Sequence, residues 1–245
     1  MSNIPGTEGE RRLDPRPWDY SCYLLKELKK ALILMLESDF VCFDKSEETT
    51  ILDYGCGTRP YEPLFLEKGL RYIGADIRGN DKADIPFDAN QPIPIENDSV
   101  NIVFSSQVLE HVSNVKGYLS ECRRVLKPDG VLILSTHGYW TYHGYPDDFF
   151  RWTFQGLRLE MEQAGFKVER MIPCVGPLAY TTHLRNQLLR GALYKLSPIS
   201  LPAIGMLNIL SSILMPLEDA ITPKTVLEQN AAIYVLGAKK TGLSC

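Results

Sequence analysis

The stretch ILDYGCGTRPY at positions 51–61 constrains this chain more than any other. A short apolar run ends in Asp53, two glycines follow one residue apart at Gly55 and Gly57, and Pro60 comes next. An apolar run of this length bounded by glycines reads as a buried strand and a tight turn. Both glycines reach positive φ without steric cost, and without a Cβ they let a ligand approach the backbone. Pro60 suits the first turn of a helix, where its missing N–H would have no partner anyway. Strand, turn and helix in succession hold a nucleotide-like ligand at a strand's carboxyl end.

The flanking sequence repeats the alternation. Positions 18–40 carry apolar residues at helical spacing, with Lys26, Lys29 and Lys30 on the wet side. A helix through Leu64 and Leu66 stops at Gly69, and a second strand at 71–76 also ends in an acid, Asp76. Residues 86–94 read as a proline-rich loop, 100–104 as a third strand and 115–126 as a helix. Lys127-Pro128-Asp129-Gly130 reads as a turn before a fourth strand at 131–134. A helix at 153–164, a strand at 166–173 and a last strand at 231–236 complete the pattern. Strands alternating with helices in this way predict a parallel sheet covered on both faces.

Asp76 lies 19 residues after Gly57, where a doubly wound sheet presents a carboxylate to ribose hydroxyls. A dinucleotide site needs a third glycine at position 60, and Pro60 stands there. Asp53 would also repel a pyrophosphate and attract an ammonium group. S-adenosylmethionine carries an ammonium and a sulfonium but no phosphate, so charge favours it over NAD.

Asp53-x-Gly55-Cys56-Gly57, Asp76, Asp88-Ala89-Asn90 and Val108-Leu109-Glu110-His111-Val112, in this order, resemble the motifs of class I S-adenosylmethionine-dependent methyltransferases. The resemblance covers about residues 45–170. It implies a Rossmann-like three-layer α/β/α sandwich, with a mostly parallel seven-stranded sheet whose last strand is antiparallel. It also implies cofactor contacts: Asp53 near the amino group, the Gly55–Cys56–Gly57 turn under the methionine part, Asp76 on the ribose and Ile77 beside the adenine. Asp88 would face the adenine amino group, Ala89 would contribute backbone, and Ser106 and Gln107 would line the pocket near the methyl donor. Glu110 and His111 read as a helix-start pair satisfied by hydrogen bonds.

Positions 136–153 hold seven aromatics, two histidines, two acids and an arginine just past a strand. Loops at that edge carry ligand chemistry. Methyl transfer is an in-line displacement that needs alignment and exclusion of water, which aromatic walls supply. A hydroxyl acceptor also loses a proton, for which histidine is suited. His143 or His137 is the expected base, with Asp147 or Asp148 orienting it and Arg151 gripping a polar group. The segment's character resembles a subset of these methyltransferases associated with polysaccharide and glycan biosynthesis, which implies O-methylation of a small polar or glycan-type acceptor. The histidine and acid spacing fits no common metal site, so no metal is expected. An NAD-linked oxidoreductase and a non-catalytic S-adenosylmethionine-binding module are the alternatives.

Residues 1–17 read as a flexible lead-in, and 18–245 as one methyltransferase domain with a helical insertion at about 177–228 before the last strand. No charged residue occurs from 196 to 217. Pro198, Pro202 and Pro216 divide that run and leave a helix at 203–215, too short to cross a bilayer. A lid, a homodimer face and peripheral membrane contact remain open uses for it. A net charge of −4 gives no global attraction to nucleic acid. The six cysteines form no CxxC pair, and the polar N-terminus lacks an apolar signal core. A cytoplasmic protein is expected, with contact at the inner face of a membrane as an open possibility.

Overall fold

The computed structural model describes residues 11–41, 48–89, 91–144, 147–196 and 200–241. Residues 1–10 of the expected lead-in, Cys42, Asn90, Tyr145, Pro146, Pro198 and Cys245 lie outside the described residues.

Seven strands form one sheet: β1 (Thr50–Tyr54), β2 (Arg71–Ile77), β3 (Ile85–Phe87), β4 (Val100–Ser106), β5 (Leu126–His137), β6 (Phe166–Cys174) and β7 (Ile233–Lys240). Their order is β3-β2-β1-β4-β5-β7-β6. The first five pair in parallel, while β7 runs antiparallel to both β5 and β6. The chain builds outward from β1 to β3, then returns to β4 on the other side of β1. That reversal opens a crevice at the carboxyl ends of β1 and β4, which is where such sheets bind ligands.

Side chains alternate between the two faces as strand geometry requires. Ile51, Ile102 and Ile133 point to one core, and Leu52, Val103, Leu132 and Leu134 to the other. The first core is covered by α1 (Cys22–Leu36), α2 (Glu62–Leu66), α5 (Pro177–Leu196) and α6 (Leu201–Ile221). The second is covered by α3 (Val115–Val125) and α4 (Phe154–Gln163). Leu24, Leu28, Leu32 and Met35 of α1 are buried at the helical spacing read from the sequence. Each such side chain contributes about 2 kcal/mol of hydrophobic stabilisation. Gly237 of β7 makes the close approach possible, since a Cβ there would sit 2.3 Å from the ring of Phe40 and 2.7 Å from Met35 Sδ.

Three local expectations change. Pro60 does not open α2; the helix starts at Glu62 with Pro63 in its first turn. The proline-rich loop contributes a short edge strand, β3, because its backbone pairs with the end of β2. Residues 127–130 are not a free turn but a bulge within β5, since Val100 pairs with Leu126 and Ile102 with Val131. α4 is capped as its sequence suggests: Thr153 Oγ1 accepts the Gly156 N–H at 3.0 Å. Between β6 and β7 run α5, α6 and α7 (Lys224–Gln229).

Candidate active site

The glycine turn after β1 is held by backbone bonds to β2. The N–H groups of Gly55 and Cys56 both donate to the Ala75 carbonyl, at 2.8 and 3.1 Å. Gly55 has φ +90°, and a Cβ there would lie 2.6 Å from Val108 Cγ2, so the turn packs directly under the loop that follows β4. Gly57 has φ +52°, and its missing Cβ faces open space. Arg59 also adopts positive φ, at +60°, a strained choice for a residue with a side chain. The Arg59 guanidinium bonds to Glu62 at 2.7 Å and Asp84 at 2.8 Å and lies 4.8 Å over the Tyr72 ring.

Asp76 stands at the lip of this cradle. Its Oδ2 accepts from the Gly57 N–H and from Asn80 Nδ2, both at 2.7 Å, and its Oδ1 accepts from the Ile77 N–H. Ile77 leaves an apolar side chain 43% exposed beside it. The open space at Gly57, a carboxylate at the strand end and an uncovered apolar side chain together fit an adenosine-type ligand.

Asp53 is almost wholly buried and accepts the Tyr72 hydroxyl at 2.5 Å. Burial pushes its carboxyl up to about 7, only partly opposed by the Tyr72 bond. Cys56 fills the space left by Gly74, where a Cβ would come 3.0 Å from its sulfur. Desolvation pushes the Cys56 thiol up to about 12, so it is a packing residue and not a nucleophile. Asp88 is exposed and paired with Arg78 at 2.8 Å, and Ala89 next to it is exposed. At the end of β4, Ser106 Oγ meets Ser135 Oγ at 2.9 Å, and Gln107 turns at φ +59° with its N–H on the Ser135 carbonyl.

One strand further along the same edge is the histidine-rich loop. His137 ends β5, buried, with Nδ1 3.0 Å from Glu110 Oε1. The two atoms are close but out of line for a hydrogen bond. Glu110 is fully buried and takes the Thr136 hydroxyl on Oε2 at 2.8 Å. Burial raises the Glu110 carboxyl and holds His137 well below its ordinary value, disfavouring the charged form of each. Trp140 stacks on His137 at 4.2 Å, 6° from parallel, and Tyr180 of α5 stacks on Trp140 at 5.2 Å. The His143 ring lies 5.7 Å from that of His111 and 6.3 Å from that of His137.

Arg151 fastens this loop. It meets Asp148 through two N–H groups at 2.5 Å each and donates to the carbonyls of Trp140, Thr141 and Phe150. All five guanidinium donors are therefore used within the loop. The expected acceptor-gripping arginine is instead a clamp. Asp148, expected to orient a histidine ring, holds His143 through its backbone N–H at 2.7 Å. The Arg151 bonds keep the Asp148 carboxyl down at about 2. Asp147 partners His111 Nδ1 through its carbonyl oxygen. The Phe149 N–H donates to the Glu110 carbonyl at 2.8 Å and the Trp152 N–H to that of His137 at 3.1 Å, so the loop is pinned to the ends of β4 and β5.

Sequence reading missed Tyr72, Arg59, Asn80 and the pairing of Glu110 with His137. Tyr72 had a signal of sorts: it lies two residues before Gly74, which pairs with Asp53, and so shares a face with that acid. That signal depends on strand register, which the sequence does not print. A groove of about 350 Å³ between Leu13–Pro15 and the Lys26–Leu34 part of α1 contains none of these residues. The site is defined by its groups and not by cavity size.

This strand order, with the glycine turn after β1 and an acid ending β2, defines a Rossmann-like methyltransferase fold. Residues 23–170 match the family model described as a methyltransferase domain. A probable S-adenosylmethionine-dependent methyltransferase of Mycolicibacterium smegmatis is 31% identical over 134 residues, covering 49% of this chain and 52% of that protein. A ubiquinone biosynthesis O-methyltransferase of Rhodopseudomonas palustris is 30% identical over 98 residues, covering 35% and 39%. The match thus spans about half or less of the length of these curated relatives. In fold, the chain is similar to a crystal structure of an S-adenosylmethionine-dependent methyltransferase from Archaeoglobus fulgidus, with TM-score 0.55, 16% identity and coverage of 94% and 97%. The chain belongs to the class I S-adenosylmethionine-dependent methyltransferase family, whose cofactor is S-adenosylmethionine.

Proposed function

We propose that the chain transfers the methyl group of S-adenosylmethionine to a hydroxyl oxygen of a small polar or glycan-type acceptor. One observation carries this reading: the open cradle at Gly57 and Asp76 and the histidine-lined loop after β5 share one sheet edge, one and two strands from the switch point. When bound, the cofactor supplies an electrophilic methyl group. Asp76 and Ile77 hold the adenosine end, the Gly55–Gly57 turn passes under the methionine end, and Asp53 attracts its ammonium. Asp88 and Ala89 lie toward the adenine, and Ser106 and Gln107 line the floor below the methyl group. Trp140 and the neighbouring aromatics exclude water. His143 would take the proton of the acceptor hydroxyl, while buried His137 forms part of the wall. Burial makes His137 a poor base, which favours His143. A relative named for ubiquinone biosynthesis O-methylation supports oxygen as the acceptor atom.

Calorimetry with S-adenosylhomocysteine and NAD tests the cofactor half. Binding of the first and not the second is expected, with Asp76→Ala weakening it about 100-fold or more through lost charge-assisted bonds. Unchanged affinity in Asp76→Ala would remove the ribose assignment. For the acceptor half, labelled-methyl transfer onto hydroxylated sugars and phenols is expected to be lost in His143→Ala with cofactor affinity intact. Wild-type transfer by that variant would exclude His143 as the base.

A further inference from the structure

α6 runs unbroken for 21 residues, past Pro216, and is therefore longer than its prolines suggest. At 1.5 Å per residue it is about 31 Å long, enough to cross a bilayer by length alone. Its inner face forbids that. Asn208 Nδ2 donates to the Trp18 carbonyl, Ser211 accepts from Asn186, Glu218 accepts from Thr182, and Asp219 accepts from the Tyr23 hydroxyl and the Gly176 N–H. These bonds tie one side of the helix to α5, α1 and the N-terminal segment along its length.

The opposite face is bare. Leu201, Met206, Ile209, Leu210, Ile213, Leu214, Leu217 and Ile221 form a continuous stripe, exposed from 37% at Ile209 to 73% at Ile221. Leu188 and Leu189 of the antiparallel α5 are 75% and 53% exposed. Hydroxyls along α6 are satisfied by its own carbonyls: Ser211 on Leu207, Ser212 on Ile209 and Thr222 on Glu218. An interface between protein chains carries about one hydrogen bond per 100–200 Å². Among the described residues this stripe is apolar, and the hydroxyl at its margin, Ser212, has already spent its one proton on the helix. Lipid requires none. Cations flank the stripe: Lys195 is exposed before α6, and Lys224 after it is 89% exposed, with Glu228 3.8 Å away. Their long stems reach headgroups while their methylenes cover apolar surface.

We propose that the α5–α6 hairpin seats the protein on an anionic lipid bilayer, with α6 lying in the plane of the interface and its stripe facing the acyl chains. This docking is independent of which acceptor is methylated. It is tested by co-sedimentation of the full chain with vesicles of phosphatidylcholine alone and of phosphatidylcholine mixed with phosphatidylglycerol. The wild type is expected to pellet with the mixed vesicles. The triple variant Leu210→Gln, Ile213→Gln, Leu214→Gln is expected to lose about tenfold or more in partitioning, at a melting temperature close to wild type. The double variant Lys195→Glu, Lys224→Glu is expected to lose severalfold, and added salt to weaken the wild type likewise. It serves as the test should the triple variant not fold. Three results would overturn the proposal: a wild type that stays in the supernatant with both vesicles, variants that pellet like the wild type, or a dimer dissolved by the triple variant without any vesicle binding. The last would show the stripe to be a face between copies.

Discussion

The two halves of the proposed site are built differently. The cofactor half is made of backbone: a turn at Gly55–Gly57 bonded to the Ala75 carbonyl and closed by Asp76, all within 22 residues of one another. The acceptor half is made of side chains brought from β4, β5, the 138–153 loop and α5, ordered by Arg151 and by stacking from His137 through Trp140 to Tyr180. Backbone cradles tolerate little change because their geometry depends on glycine. Side-chain walls can be rebuilt residue by residue. That division suits a scaffold with one fixed cofactor and variable acceptors.

The largest expected effect breaks the cofactor half alone. Gly55→Ala puts a Cβ into Val108 at a positive φ, which is expected to cost about 2–4 kcal/mol of stability and abolish binding of S-adenosylhomocysteine. Chemical denaturation and calorimetry measure the two losses. A variant that kept both would mean that the turn shifts freely and is no fixed cradle.

Next comes the opposite break. Arg151→Ala leaves Asp148 without its cation, keeping only the His143 N–H, and three carbonyls without donors, expected to cost about 3 kcal/mol locally. Limited proteolysis is expected to cut within 138–150, while affinity for S-adenosylhomocysteine stays within about twofold of wild type. A large fall in that affinity would show the halves to be coupled and not separable.

The smallest effect sharpens the line between them through pH. Asp53 has a folded pKa raised to about 7, so the folded state holds its proton more tightly than the unfolded chain does. That contribution is fully present below the unfolded value, near 4, and is lost as pH rises through about 7. Asp53→Asn removes the loss. Between about pH 6 and pH 8, unfolding free energies are expected to move by about 1–2 kcal/mol in favour of the variant. A constant difference across that range would mean that Asp53 is already ionised when folded.

The cofactor half was readable because its signals are local. Gly55, Gly57 and Asp76 reveal themselves by type and spacing, and each stands where that spacing implied. Arg59 was not readable, because a side chain at positive φ leaves no trace in residue type. In the acceptor half the crowd of residues at 136–153 marked the place, but not the partners. Arg151 reads as a ligand-gripping group and Asp148 as one orienting a histidine, and the two bind each other. Glu110 looked like a helix-start residue and faces His137 from 27 positions away. α6 was misread in length because a proline inside a helix costs one hydrogen bond, which packing against α5 and α1 offsets.

By itself, the sequence determined the alternation of strands and helices, the glycine cradle and the phosphate-free cofactor, since periodicity, glycine and charge act within a few residues of one another. The tertiary structure decided the strand register that puts Tyr72 on Asp53, the loop closure that commits Arg151 to Asp148, and which side of α6 is bonded inward and which left bare. These are contacts between residues far apart in the chain, and no local pattern encodes which of many compatible partners the packing will select.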